Sequence, residues 1–395
     1  MAEQAWDSDR VKDVPFSSIR VVFEEAQRLE AAGRKVFHME IGRPDFDTPA
    51  HIKEAAVKSL AEGNVHYVAS LGIPELRQAI ADKLQRENSV VVDPNGGVLV
   101  TAGVKTVIYC SMQGLLNPGD EVLLPDPCWL DYFGCVRLAG GVPVAVPLRE
   151  ENGFQIDPAE VERLITPRTK ILVIITPHNP TGAAASKETL EALAGIAQRR
   201  NLLVISDEIY EKQIFDGAVH YSIGSFPGMA ERTITVNGFS KAYAMDGWRL
   251  GYAAAPNNLI RPILKVHMSS VSCATSFAQA GAVAAYRGSQ ECVAQMVAEF
   301  DRRRRMILDA MGTMEGVQCP RPQGAFYVFP NIKSFGMPSL EMAGYLMKEA
   351  AVATVPGSAF GDWGEGYLRL AYADSYENLE QAMQAIKGAL DKLRA

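Results

Sequence analysis

No apolar run in this sequence approaches the roughly 18 residues that a membrane-spanning helix needs. The opening stretch, MAEQAWDSDRVKD, is polar and acidic and lacks the apolar core of a secretory signal. Six cysteines (Cys110, Cys128, Cys135, Cys273, Cys292 and Cys319) form no CxxC and no Cys/His ligand spacing. A zinc motif and a disulfide frame are therefore not expected, and the thiols read as those of a reduced, cytoplasmic protein with no metal site. Positive charge is also short: 39 Lys and Arg against 46 Asp and Glu leave a net charge of −7, which gives no electrostatic case for nucleic acid or an anionic membrane. The one polybasic run, Arg302 to Arg305, is expected on a solvated helix face. Around Gly103-Val104-Lys105 there is neither GxGxxG nor GxxxxGK[ST], which argues against a nucleotide-binding protein. Internal repeats, low-complexity segments and long linkers are missing too.

What remains is ordinary globular composition, 48% apolar and 22% charged, on 395 residues, a length that calls for two domains. Apolar spacing predicts a helix over 18–32, capped by Ser17 or Ser18 and stopped by Gly33. VFHMEIG (36–42) alternates like a strand and leads into an Arg43-Pro44-Asp45 turn. Thr48-Pro49 opens a helix to about Glu62, with proline at its first position, and Pro74 begins another to about Glu87. From about residue 97, strand-like runs recur at 98–102, 121–125, 142–148, 170–176, 202–207, 233–237 and 250–255, most of them separated by helical stretches. Continuous apolar strands alternating with helices predict an α/β fold, a mostly parallel sheet covered on both faces. A long charged helix (290–312), short strands near 325–330, 352–356 and 367–371, and a final helix from Tyr376 predict a smaller α+β domain.

In such sheets ligands sit beyond the carboxyl ends of the strands, so the loops there carry the chemistry. Lys241 follows the run at 233–237; desolvation there would lower its pKa and free a neutral amine to form a Schiff base, whereas in isolation it could equally be a solvated loop lysine. Gly103, Val104 and Lys105 open a helix whose free N–H groups suit a phosphate, or simply start a helix. Trp129 follows a rigid Pro125-Asp126-Pro127 turn and could stack on a flat ring or sit in the core. Asn179, between two prolines, offers an amide from a stiff loop, although turn chemistry alone explains such a loop; neighbouring His178 reads as a loop histidine. Asp207 at a buried strand end needs a cation, either a structural partner or a protonated ring nitrogen, with Tyr210 within reach of the same ligand. Arg369, inside an apolar strand, suits a carboxylate or a structural ion pair. Pyridoxal phosphate asks for all of these at once: an aldehyde for Lys241, a ring nitrogen for Asp207, a phenolic oxygen for Asn179 and Tyr210, a flat ring for Trp129, and a phosphate for Gly103, Val104 and Arg249. A substrate carboxylate remains for Arg369.

Taken in order, IGRPDFDTP (41–49), YVASLGIPELRQAIA (67–81), NPTG, SDEIYE, SKAYAMDGWRLGY, PQGAFYVFP and YLRLAYA resemble the class I/II aminotransferases, the aspartate aminotransferase-like group of fold type I pyridoxal phosphate enzymes. The resemblance spans nearly the whole chain. It implies a large cofactor domain (46–289), a small domain built from both chain ends (1–45 and 290–395), and a homodimer with active sites at the interface, acting on amino acids and 2-oxo acids. By position it makes Lys241 the covalent and catalytic lysine, Asp207 the partner of the ring nitrogen, and Tyr210 and Asn179 ligands of the phenolic oxygen. Trp129 stacks on the ring, Arg249, Ser240 and the 103–105 turn hold the cofactor, and Tyr67 reaches the phosphate of the neighbouring subunit. Gly42 and Arg369 meet the substrate carboxylate, and Lys105 contacts a distal one, which points to aspartate with 2-oxoglutarate. Ser17-Ser18-Ile19-Arg20 resembles a segment of aromatic, alanine-using and broad-specificity relatives, which keeps those substrates open, and a carbon–sulfur β-lyase would use the same lysine, aspartate and arginine. Three positions depart from the pattern: Gly238 where serine is frequent, Cys128 where tyrosine precedes the tryptophan, and Asp246 where threonine is usual.

Overall fold

The computed structural model describes residues 6–16 and 18–394. The helix cap expected at Ser17 or Ser18 rests on side chains outside the described residues. In chain order the strands are β1 (Phe37–His38), β2 (Val98–Thr101), β3 (Glu121–Asp126), β4 (Val142–Pro147), β5 (Thr169–Ile175), β6 (Leu203–Asp207), β7 (Thr233–Gly238), β8 (Gly251–Ala254), β9 (Tyr327–Val328), β10 (Val352–Ala353), β11 (Val355–Pro356) and β12 (Leu368–Ala371).

Seven of them form one mixed sheet in the order β2-β8-β7-β6-β5-β3-β4. All neighbours run parallel except β8, which is antiparallel to both β2 and β7. Every residue of β2, β3, β7 and β8 is buried, as a sheet covered on both faces requires. Successive side chains point to opposite faces. Val122 and Leu124 thus join a core with Ile108 and Ile263, while Leu123 between them packs with Leu190 and Leu193. The helix Val104–Leu115 packs on Asn257–Ser270, and Ser276–Arg287 packs on Ala50–Ala61 and Pro74–Lys83. The register sets Asp207 between Ile175 and Val236, so β5, β6 and β7 end level and their following loops share one edge.

Beyond the large sheet, β11-β12-β9 form a small antiparallel sheet, and β1 pairs in parallel with β10, Phe37 opposite Val352. The helices Glu291–Met311, Ser339–Ala350 and Tyr376–Arg394 enclose a core of Phe300, Ile307, Met342, Leu346 and Leu379.

Four local readings need correction. The strand expected over 36–42 is paired only at Phe37 and His38, because the chain then turns away to carry Gly42 toward the large sheet. Pro49 caps its helix rather than filling the first helical position. The helix from Pro74 is α-helical only to Lys83 and then widens into a π-turn over Leu84–Asn88, which lets Lys83 and Asn88 both reach the buried Glu211. The arginine run is not a solvated face: Arg302 and Arg305 are exposed, but Arg303 and Arg304 are buried. Arg303 makes a two-pronged pair with Asp45, and Arg304 lies between Asp216 and Asp301. Elsewhere, Glu208, Glu211 and His220 bring ligand atoms within 4.8 Å of one another. They are already engaged: Lys83 pairs with Glu211, and Ser206, Ser222 and Asn88 donate to Glu208.

Candidate active site

The level ends of β5, β6 and β7 open into a cavity of about 460 Å³. Eleven of the thirteen site residues expected from the sequence line it: Gly42, Val104, Lys105, Trp129, Asn179, Asp207, Tyr210, Ser240, Lys241, Arg249 and Arg369. Gly103 sits immediately behind the wall. It starts the helix Val104–Leu115 with φ 87°, and an added Cβ would come 2.5 Å from Nη2 of Arg249, so the glycine is needed for the guanidinium to lie against the turn. Tyr67 is the residue the chain does not bring in; it is 91% exposed and outside the cavity lining.

Lys241 Nζ donates to the Gly42 carbonyl at 2.7 Å. Burial is the main influence on it and lowers its pKa to about 8, with Asp246 acting the other way and Arg249 and Arg369 adding to the depression. Asp207, in the same cavity lining, accepts from the Tyr132 hydroxyl at 2.8 Å and from the Ile209 N–H at 3.2 Å. Desolvation outweighs both bonds and raises its carboxyl to about 6. A buried carboxylate held by hydrogen bonds alone is a receptor for a cation.

The Tyr210 hydroxyl meets that of Tyr327 at 2.8 Å, and burial pushes its pKa well above the ordinary phenol value. Tyr327 in turn explains Gly42: a Cβ there would overlap the Tyr327 hydroxyl. Asn179 is buried and its Oδ1 has no hydrogen-bond partner. Arg369 lies in β12, almost fully buried between the rings of Tyr327 and Phe360; one of its nitrogens donates to the Glu40 carbonyl, and its Nε has no partner. Burial lowers its pKa without threatening its charge. Arg249 takes φ 54° and donates to the Asp246 carbonyl at 2.8 Å, an unusual backbone for arginine that swings its side chain back toward Gly103.

Gly238 has a spatial reason: a Cβ would come 2.9 Å from the Leu250 carbonyl, so the strand pairing with β8 leaves no room for serine. His178 is buried beside Thr181 Oγ1 at 2.8 Å, and burial pushes its pKa down to about 3, which keeps it a neutral structural group. Ile19, Arg20 and Phe23, on the helix Ser18–Ala31, also line the cavity. The sequence reading assigned no site role to Tyr132, Tyr327 or Phe23. Tyr132 sits on the helix Asp131–Leu138 that follows β3, and its bond to Asp207, like the contacts of the other two, joins distant segments.

A family model described as Aminotransferase class I and II matches residues 34–386. The chain belongs to this family. It is 46% identical over 97% of its length to an aspartate aminotransferase of Pyrococcus abyssi, covering 98% of that protein. It is 44% identical, with the same coverage, to aromatic-amino-acid aminotransferase 2 of Thermococcus litoralis. The solved structure of an aspartate aminotransferase from Thermus thermophilus with maleate superposes with a TM-score of 0.93 at 40% identity, covering 98% of this chain and all of that one. The chain is accordingly an aminotransferase of fold type I, and the family depends on pyridoxal phosphate. The residues present fit that group: Asn179, whose Oδ1 has no partner, and the Asp207 carboxylate line one cavity with a lysine of depressed pKa, and the Gly103 turn lies beside Arg249 where an anion would bind.

Proposed function

We propose that this aminotransferase binds pyridoxal phosphate covalently through Lys241 and moves the amino group of aspartate to 2-oxoglutarate in two half-reactions sharing one site. The observation that carries the reading is Lys241, with its pKa lowered to about 8, in one cavity lining with the desolvated Asp207 and with Arg369, whose Nε is unpaired. Bound pyridoxal phosphate supplies an aldehyde to carry the amino group and a ring that accepts the electron pair released at the substrate Cα. The protein does the rest. Asp207 holds a proton on the ring nitrogen, and Tyr132 keeps the carboxylate aimed. Tyr210 and Asn179 hydrogen-bond the phenolic oxygen, Trp129 covers one ring face, and Arg249, Ser240 and the N–H groups of Gly103, Val104 and Lys105 hold the phosphate. Arg369 and the Gly42 backbone orient the substrate carboxylate. With the cofactor bound, Lys241 Nζ would take the proton from the substrate Cα as general base and, as the resulting ammonium, would give it as general acid to the carbon of the cofactor's aldehyde group. Its place against the Gly42 carbonyl keeps it beside the carboxylate end of the substrate.

Aspartate is supported by the charge of Lys105 at the cavity wall, by the named activity of the Pyrococcus abyssi relative, and by the dicarboxylate maleate in the Thermus structure. An aromatic donor is the second reading, supported by the Thermococcus relative and by the apolar Ile19 and Phe23 in the lining. The proposal extends to a cytoplasmic homodimer in which each subunit divides into residues 46–289 and a smaller domain of 1–45 with 290–395. The β1–β10 pairing of the two chain ends supports that division, and no helix among the described residues is long and apolar enough to cross a membrane. Half-reactions with a panel of amino acids, followed by the cofactor's absorbance change, test the substrate. Aspartate is expected to react with a higher kcat/KM than alanine, phenylalanine or tyrosine; a lower rank for aspartate removes the Lys105 argument.

A further inference from the structure

Lys105 stands on the wall between two cavities. One is the site cavity; the other, of about 370 Å³, is lined by Lys105 together with Asp131 and the apolar Val14, Leu138 and Val271. Asp131 lines only the second. Its Oδ2 takes the Lys105 ammonium at 2.6 Å and the Trp129 indole N–H at 2.7 Å, so one carboxylate oxygen holds the cation and fixes the ring beside it. The Lys105 side chain is 60% exposed and that of Asp131 21%, and an ion pair so open to water is weak enough to be exchanged.

We infer that Asp131 determines side-chain specificity by competing for Lys105: the lysine docks on Asp131 when the substrate side chain is uncharged and turns to the substrate when that side chain ends in a carboxylate. This rests on the aminotransferase site proposed above and adds a switch to it. A fixed cation in the wall would oppose an aromatic side chain, because its charge would be desolvated without a partner. With Asp131 as the resting partner that penalty disappears, and one pocket accepts both acidic and apolar side chains. The cost falls on the dicarboxylic substrate, which must first displace Asp131. Trp129 keeps its hydrogen bond to Asp131 in either state, so the ring does not move with the lysine.

The test uses the holoenzyme and two donors, L-aspartate and L-phenylalanine, in single half-reactions. Asp131→Asn leaves an acceptor for Trp129 but removes the charge that holds Lys105. The ratio of kcat/KM for aspartate to that for phenylalanine is expected to rise about two- to fivefold, the change that corresponds to losing a part-exposed ion pair worth up to ~1 kcal/mol. The gain is expected in KM for aspartate, with kcat held, and Asp131→Glu is expected to return the ratio toward that of the unmodified enzyme. A general disturbance of the loop would lower both donors together and would not be rescued. Asp131→Ser serves if the asparagine variant folds poorly. An unmodified enzyme that reacts with aspartate, alongside an asparagine variant whose ratio is unchanged, overturns the competition alone. An unmodified enzyme that reacts with no amino acid overturns the underlying site reading, and the competition with it.

Discussion

Lys241 shows most directly how burial is turned into chemistry. An ordinary lysine near 10.5 is almost wholly protonated at neutral pH, whereas one lowered to about 8 offers a useful fraction of free amine. Aldehyde capture by the protein, followed at about 400–430 nm, is therefore expected to accelerate as pH rises through about 8 and then level off. Lys241→Ala should retain the cofactor without a covalent bond, because Asp207, Arg249 and the Gly103 turn are untouched, while turnover falls about 10²- to 10⁴-fold, the range a positioned proton carrier contributes. A variant that keeps most of its turnover removes the lysine from the mechanism. The lysine was legible in the sequence because it follows an apolar strand and because its companions fall at the ends of other strands. Tyr132 and Tyr327 were less so: each acts by a hydrogen bond to Asp207 or Tyr210, and a bond between positions 75 or 117 apart leaves no local pattern. The Asp131 contact was hidden for the same reason, since a charge two residues after a tryptophan does not announce a lysine on another helix.

Elements became readable where burial was continuous and unreadable where tertiary contacts overrode local preference. The large sheet follows the seven apolar runs within a residue or two at each end. Asn257–Ser270 is absent from the sequence expectation: Pro262 lies inside it and removes the bond that position 262 would make to the Asn258 carbonyl, a loss that packing of the helix on Val104–Leu115 outweighs. Arg303 and Arg304 looked like a solvated run because helical spacing places charges without naming their partners, and Asp45 and Asp216 come from distant loops. The short strand β1 matters more than its two residues suggest, for the chain just after it supplies the Glu40 carbonyl to Arg369 and the Gly42 carbonyl to Lys241. His38 steadies this segment by bonding the fully buried Glu40 at 2.8 Å, and that carboxylate, with help from Glu30, raises the imidazole pKa to about 9. A raised folded-state pKa means that the stabilisation is complete below the ordinary value of 6.5 and is lost as pH climbs through about 9. His38→Gln is expected to lower the unfolding midpoint near pH 6 and to flatten its decline between about pH 7 and pH 9. Parallel curves for the two proteins across that window would show that His38 does not carry the pH dependence.

At the scale of the whole molecule, the decisive observation is a residue the single chain leaves unused. Tyr67 is 91% exposed on the surface that also presents Val65, and Phe16 is 94% exposed near the chain's start. In the proposed homodimer these would be side chains that a second subunit covers. In a twofold dimer each subunit would receive Tyr67 from its partner while supplying its own to the other site. That arrangement has a consequence no monomer can imitate. A subunit carrying Lys241→Ala has no functional lysine of its own but still offers Tyr67; one carrying Tyr67→Ala keeps its lysine but offers its partner nothing. In a mixed dimer one site combines both defects and the other contains neither. Unfolding and refolding the two variants together in equal amounts should yield about half mixed dimers, and hence about one quarter of the activity of the unmodified enzyme. Activity no greater than the average of the two separate variants would mean that Tyr67 works within its own chain or not at all.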